Sequence, residues 1–160
     1  MNVHFSSKSS EWRTPLNLLK GYVYRFAPVD LDPCCADGHV KAKQHYTTKE
    51  DGLSQPWHGF VFMNPPYGRE VGNWCEKAAS EAVDDTTVIG LLPGRVDTQW
   101  FHDHVFSKAK AVVFIKGRLT FEGAVNGAPF PSCLVLWGES SEAVGRFKDI
   151  FAELGHFVRL

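Results

Sequence analysis

Long apolar runs are missing from this 160-residue chain. Nothing approaches the roughly 20 apolar residues that a membrane-spanning helix needs, and the opening MNVHFSSKSSEW lacks the apolar core of a secretory signal. An excess of charge is missing too. With a formal net charge of −1, the whole-molecule field gives a polyanion no attraction, so any nucleic acid has to be held by local cations. Cysteine is sparse and irregular: Cys34 and Cys35 are adjacent, while Cys75 and Cys133 stand alone. That spacing excludes a C-x-x-C pair and a disulfide framework. It also gives His39, His45 and His58 no zinc-type partnership with the thiols, so no metal is expected. A soluble, cytoplasmic protein with reduced thiols and no membrane partner fits these absences. Repeats and low-complexity tracts are absent as well.

What is present reads as one domain over residues 1–160, with a polar and mobile stretch at 1–9 and no separate recognition domain. The segment EWRTPLNLLKGYVYRF predicts a turn and a short helix, with Thr14 as cap, Pro15 in the first turn, and Leu16, Leu19 and Val23 on one face. FAPVDLD, residues 26–32, predicts a strand halted by Pro33. A short second strand is expected within 39–46, and KEDGLSQPWHG is loop by composition. Strands follow at 60–63, 87–93, 111–117 and 133–138. Helices are expected at 71–83, at 97–106 with Asp97 or Thr98 as cap, and at 141–154, before an edge strand at 156–160. Residues 119–131 read as a hairpin or a substrate loop. Alternating strands and helices predict an α/β fold with a doubly wound, mainly parallel sheet and helices on both faces.

The chemistry concentrates in FVFMNPPYG, residues 60–68. Two prolines cannot continue a central strand, so Pro65 and Pro66 begin a turn at its carboxyl end, where α/β sheets place their sites. The prolines carry no N–H, so this turn offers carbonyl acceptors without competing donors, and the Asn64 side-chain oxygen adds another. Such a turn suits a substrate NH2 group. Tyr67 supplies a flat ring on which a planar heterocycle can stack. The bland reading is a strand-ending turn. Arg95 and Arg118 each follow a glycine beyond a strand and are candidates for phosphate contacts, or else solvated loop charges. Trp12, Trp57 and Trp100 read first as packing residues, and His102 and His104 as surface residues.

MNPPYG after a strand resembles the Asn-Pro-Pro-Tyr signature of S-adenosylmethionine-dependent amino methyltransferases. With EWRTP, VDLDPCCAD, YTTKEDGLSQPW, LLPGRVDTQWF and FIKGRLTF, the chain resembles the small Dam-like DNA N6-adenine methyltransferases of bacteriophages and prophages, over about residues 6–137. The resemblance implies a Rossmann-like class I methyltransferase fold acting on double-stranded DNA in a bacterial host cell, as monomer or homodimer. It further implies a cofactor, S-adenosyl-L-methionine, held by Trp12, Thr14, Pro15, Asp32, Pro33, Cys34 and Asn64. Asn64, Pro65, Pro66 and Tyr67 would hold the target amine and ring. The chain departs from larger members in lacking a Gly-x-Gly after the first strand, and about thirty residues separate Asp32 from Asn64. One β-α unit is therefore expected to be shortened or missing. Asp51 is the candidate for the cofactor ribose, with Glu50 next. The signature alone leaves other amine substrates open, namely RNA adenine and protein glutamine, as well as a degenerate member that only binds DNA.

Overall fold

A computed structural model describes residues 12–160, so the expectation of a mobile stretch at residues 1–9 lies outside the described residues. The chain's most apolar runs become the middle of one seven-stranded sheet. Its strands are β1 (Leu31–Asp32), β2 (Gln44–His45), β3 (Phe60–Met63), β4 (Thr87–Pro93), β5 (Ala111–Ile115), β6 (Ser132–Trp137) and β7 (Gly155–Arg159). They lie in the order β2-β1-β3-β4-β6-β5-β7. Strands β1 to β4 pair in parallel. Beyond them β6 runs antiparallel to both β4 and β5, and β7 pairs antiparallel with β5 at the far edge. Apart from Thr87, every residue of β3, β4 and β6 is buried. Both faces of these strands are covered, which is why their sequences run apolar without alternation.

Four helical segments supply the cover. Helix α1 runs through Leu16–Leu18, a π-type turn Leu19–Val23 and Tyr24–Phe26; α2 is Val71–Glu81, α3 contains the π-type stretch Phe101–Phe106, and α4 is Ser141–Phe151. Phe26 of α1 packs on Phe60 of β3 and Phe151 of α4, and Phe147 of α4 meets Phe157 of β7, which places α1 and α4 on one face. On the other face the Trp137 indole donates to the His104 carbonyl of α3, and a Cβ on Gly90 would lie 3.0 Å from both Met63 and Trp137. Val71, Trp74, Cys75 and Ala78 are the buried stripe of α2, as their helical spacing predicts. Phe147 and Phe151 are fully buried, each contributing about 2–3 kcal/mol of hydrophobic stabilisation.

Several local expectations are corrected. The strand expected over 26–32 shrinks to Leu31–Asp32, because Phe26 ends α1 and the Asp30 carboxylate takes the Phe60 N–H. Leu16 is 39 % exposed, while Leu19 and Val23 are fully buried. Thr14 does not cap α1; the Glu122 carboxylate accepts the Leu16 N–H at 2.8 Å instead. For α3 the cap is Thr98, whose hydroxyl accepts the Phe101 N–H. Residues 119–131 form a loop rather than a hairpin. Between β1 and β3 the chain makes the two-residue edge strand β2 and a 3-10 turn at Gly52–Ser54.

Candidate active site

Strands β1 and β3 are neighbours, with Leu31 in register with Val61, so their carboxyl ends bring Asp32-Pro33 and Asn64-Pro65 side by side. A cavity of about 260 Å³ opens there. Trp12, Thr14, Asp32, Pro33, Cys34, Asp51, Asn64, Pro65 and Pro66 line it, together with Trp74 of α2. Pro15, Tyr67, Arg95, Arg118 and Glu50 do not. Pro15 is buried, and its carbonyl accepts the N–H groups of Leu18 and Leu19 in α1. Glu50 spends its carboxylate on the Thr47 N–H and hydroxyl.

The Asn64 amide is oriented by two acceptors. Its nitrogen donates to the Trp12 carbonyl at 2.5 Å and to the Thr14 hydroxyl at 2.9 Å. Both donors are thereby spent, and the buried side-chain oxygen is left with no partner. A buried polar atom without a hydrogen bond costs about 1–3 kcal/mol, so this acceptor lacks a donor in a residue that lines the cavity. The Trp74 indole N–H is likewise buried and unpaired.

Asp32 is 6 % exposed. Burial pushes its carboxyl up to about 6, against the opposing hydrogen bond from the Cys34 N–H. A carboxylate so placed favours a cation beside it, because the cation restores the charged form that burial penalises. Burial also raises all four thiols, Cys133 to about 12, which favours their protonated form.

The backbone at 12–16 forms a strap over this wall. The Arg13 guanidinium pairs with Asp37 at 3.0 Å and the His39 ring bonds the Thr14 carbonyl at 2.7 Å. On its other side the Glu122 N–H donates to the Arg13 carbonyl at 3.0 Å. Pattern reasoning missed His39, Glu122 and Trp74 as site residues, since nothing local marks a side chain whose partner is tens of residues away. Gly52 supports the floor: a Cβ there would fall 1.9 Å from the Pro33 carbonyl oxygen, so only glycine fits.

Tyr67 sits outside the cavity, 8 % exposed, its hydroxyl donating to the Leu91 carbonyl at 3.0 Å. Its ring meets Phe130 and Phe121 edge-on at centroid distances of 5.5 and 6.4 Å, and both phenylalanines also pack on Trp12. Arg95 and Arg118 are exposed, Arg118 leaning on the Ala128 carbonyl at 3.4 Å. The fold also brings Asp32, Cys35 and His45 together, one donor atom of each within 4.8 Å of the others, a meeting that linear spacing did not reveal. Each already has a partner: the Cys34 N–H for Asp32, the Gly38 N–H for Cys35 and the Val40 carbonyl for His45. Among the described residues no helix is long and apolar enough to cross a membrane.

The family model described as DNA N-6-adenine-methyltransferase (Dam) matches residues 4–148. No curated protein matches the sequence.

Proposed function

Since the chain belongs to the DNA N-6-adenine-methyltransferase (Dam) family, we propose that it transfers the methyl group of S-adenosylmethionine to the N6 amine of an adenine extruded from duplex DNA. The observation that carries this reading is the unpartnered side-chain oxygen of Asn64, a residue that lines the cavity. An exocyclic NH2 is a donor that fits it, and the Pro65 carbonyl belongs to the same proton-free turn.

The residues also fit the cofactor. The desolvated Asp32 carboxylate would answer its sulfonium and ammonium charges, Thr14 and Trp12 of the same cavity would help hold it, and Asp51 on the cavity wall would accept from its ribose. When bound, S-adenosylmethionine supplies an activated methyl group. Asn64 and Pro65 hold the amine so that its lone pair faces that methyl, which makes the transfer effectively unimolecular. Positive charge grows on nitrogen during transfer, and the same two acceptors stabilise it. The surplus amine proton stays hydrogen-bonded to them until water removes it, so no strong base is needed. A base stacking on Tyr67 has to part Phe121 and Phe130 from that ring, which ties its entry to movement of loop 119–131. Arg95 and Arg118 stand at the loops that would meet phosphates. The framework for this chemistry is a Rossmann-like sheet shortened next to β2, with loops taking the place of a recognition domain.

The test is incubation with methyl-labelled S-adenosylmethionine and unmethylated duplex DNA, followed by digestion to nucleosides. Label in N6-methyladenine, lost in Asn64→Ala, is expected. A protein that binds cofactor yet labels no adenine in any DNA offered would overturn the substrate.

A further inference from the structure

Val125 is 92 % exposed, while no other large exposed apolar side chain described exceeds 48 %. It stands at the tip of Gly123-Ala124-Val125-Asn126-Gly127, five consecutive residues that are exposed and carry no charge. An apolar side chain held wholly in water gains nothing in the free protein. The loop beneath it, by contrast, is tied by hydrogen bonds in the free protein. The Ala128 N–H closes the neck on the Leu119 carbonyl at 2.8 Å, the Ala124 N–H turns back on the Phe121 carbonyl, and Glu122 is bonded to the strap. Phe121 and Phe130, on either side of the tip, pack against Tyr67 of the Asn-Pro-Pro-Tyr turn. Val125 is only four positions from Phe121, so the tip stays within roughly 14 Å of the aromatic group next to the Asn-Pro-Pro-Tyr turn.

Resting on the reading of an adenine extruded from duplex DNA, we infer that Val125 is a positioning residue that enters the base stack as an apolar wedge and fills the gap the target leaves. Unstacking is the uphill part of extrusion, and apolar side chains inserted between base steps offset it. A tip of small, neutral residues can enter a stack that a charged or bulky tip cannot. The neighbouring Arg118 supplies positive charge at the loop's neck without adding any at the tip.

The test compares wild type, Val125→Ala and Val125→Leu on two duplexes built around an adenine that wild type methylates. In one duplex the adenine is paired; in the other it faces an abasic site, is unpaired and costs less to extrude. Val125→Ala is expected to lose about 10- to 100-fold in kcat/KM on the paired duplex and less than about 3-fold on the abasic one. Val125→Leu should retain activity on both, and melting temperatures should be unchanged. Full activity of Val125→Ala on the paired duplex, or equal loss on both duplexes, would overturn the wedge. If wild type methylates no adenine in any duplex, the proposed function fails first and the wedge falls with it.

Discussion

Fifty positions apart in sequence, Thr14 and Asn64 meet in a hydrogen bond of 2.9 Å. The threonine hydroxyl, 1 % exposed, accepts one amide proton while the Trp12 carbonyl takes the other. The amide cannot flip without placing its oxygen against a carbonyl, so its free acceptor keeps one direction.

Thr14→Ala should therefore lower kcat about 10- to 100-fold, with a stability loss of only about 1 kcal/mol. Thr14→Ser restores the hydroxyl and should recover most of the rate. Steady-state kinetics with a melting curve for each variant checks this; equal rates for the Ala and Ser variants would refute the orienting role.

Asn64 and Asp32 should separate by function. Asn64→Ala is expected to abolish transfer while changing cofactor affinity less than about 3-fold, since the role proposed for its oxygen is to hold the amine. Asp32→Ala should weaken cofactor binding at least about 10-fold. Calorimetry with S-adenosylmethionine beside a transfer assay reads both; parallel losses in two folded variants would count against the division.

The raised Asp32 carboxyl gives a signed pH dependence. Its folded value of about 6 exceeds the ordinary 3.8, so its contribution to stability is fully present below about pH 4 and is lost as pH rises to about 6. Asp32→Asn should thus gain on wild type across that window by about 2–3 kcal/mol and hold the difference above it. Affinity for the cationic cofactor should fall as pH drops below 6 in wild type and stay flat in the variant. Melting and binding measured between pH 4 and 8 decide the point.

Gly52→Ala should destabilise the protein by about 2–3 kcal/mol, because the new methyl lies inside the Pro33 carbonyl. The displaced Pro33 forms cavity wall, so cofactor affinity should drop too. A melting temperature equal to wild type would show that the two segments part freely.

The strands β3, β4 and β6 and the helices α2 and α4 were legible because burial on both faces, or on one helical face, writes itself into local periodicity. Asn64, Pro65, Asp32 and Thr14 were legible as short motifs, and the structure brings all four to one cavity. What stayed hidden depends on pairing across distance. Thr14 has the chemistry of a cap, yet a tertiary partner captures its hydroxyl, and Glu122 caps α1 from a loop more than a hundred residues on. The Tyr67 ring is turned into an aromatic cluster completed by Phe121 and Phe130, which no spacing in the sequence ties to it.

The strap at 12–16 bears on how the protein is made. Those residues leave the ribosome before the groups that fasten them, Asn64 and Glu122. Closing so long a loop is entropically slow and comes after local elements have formed. A nascent chain lacking residue 122 leaves the strap unfastened on that side, so the cavity wall is completed only after that residue has been made.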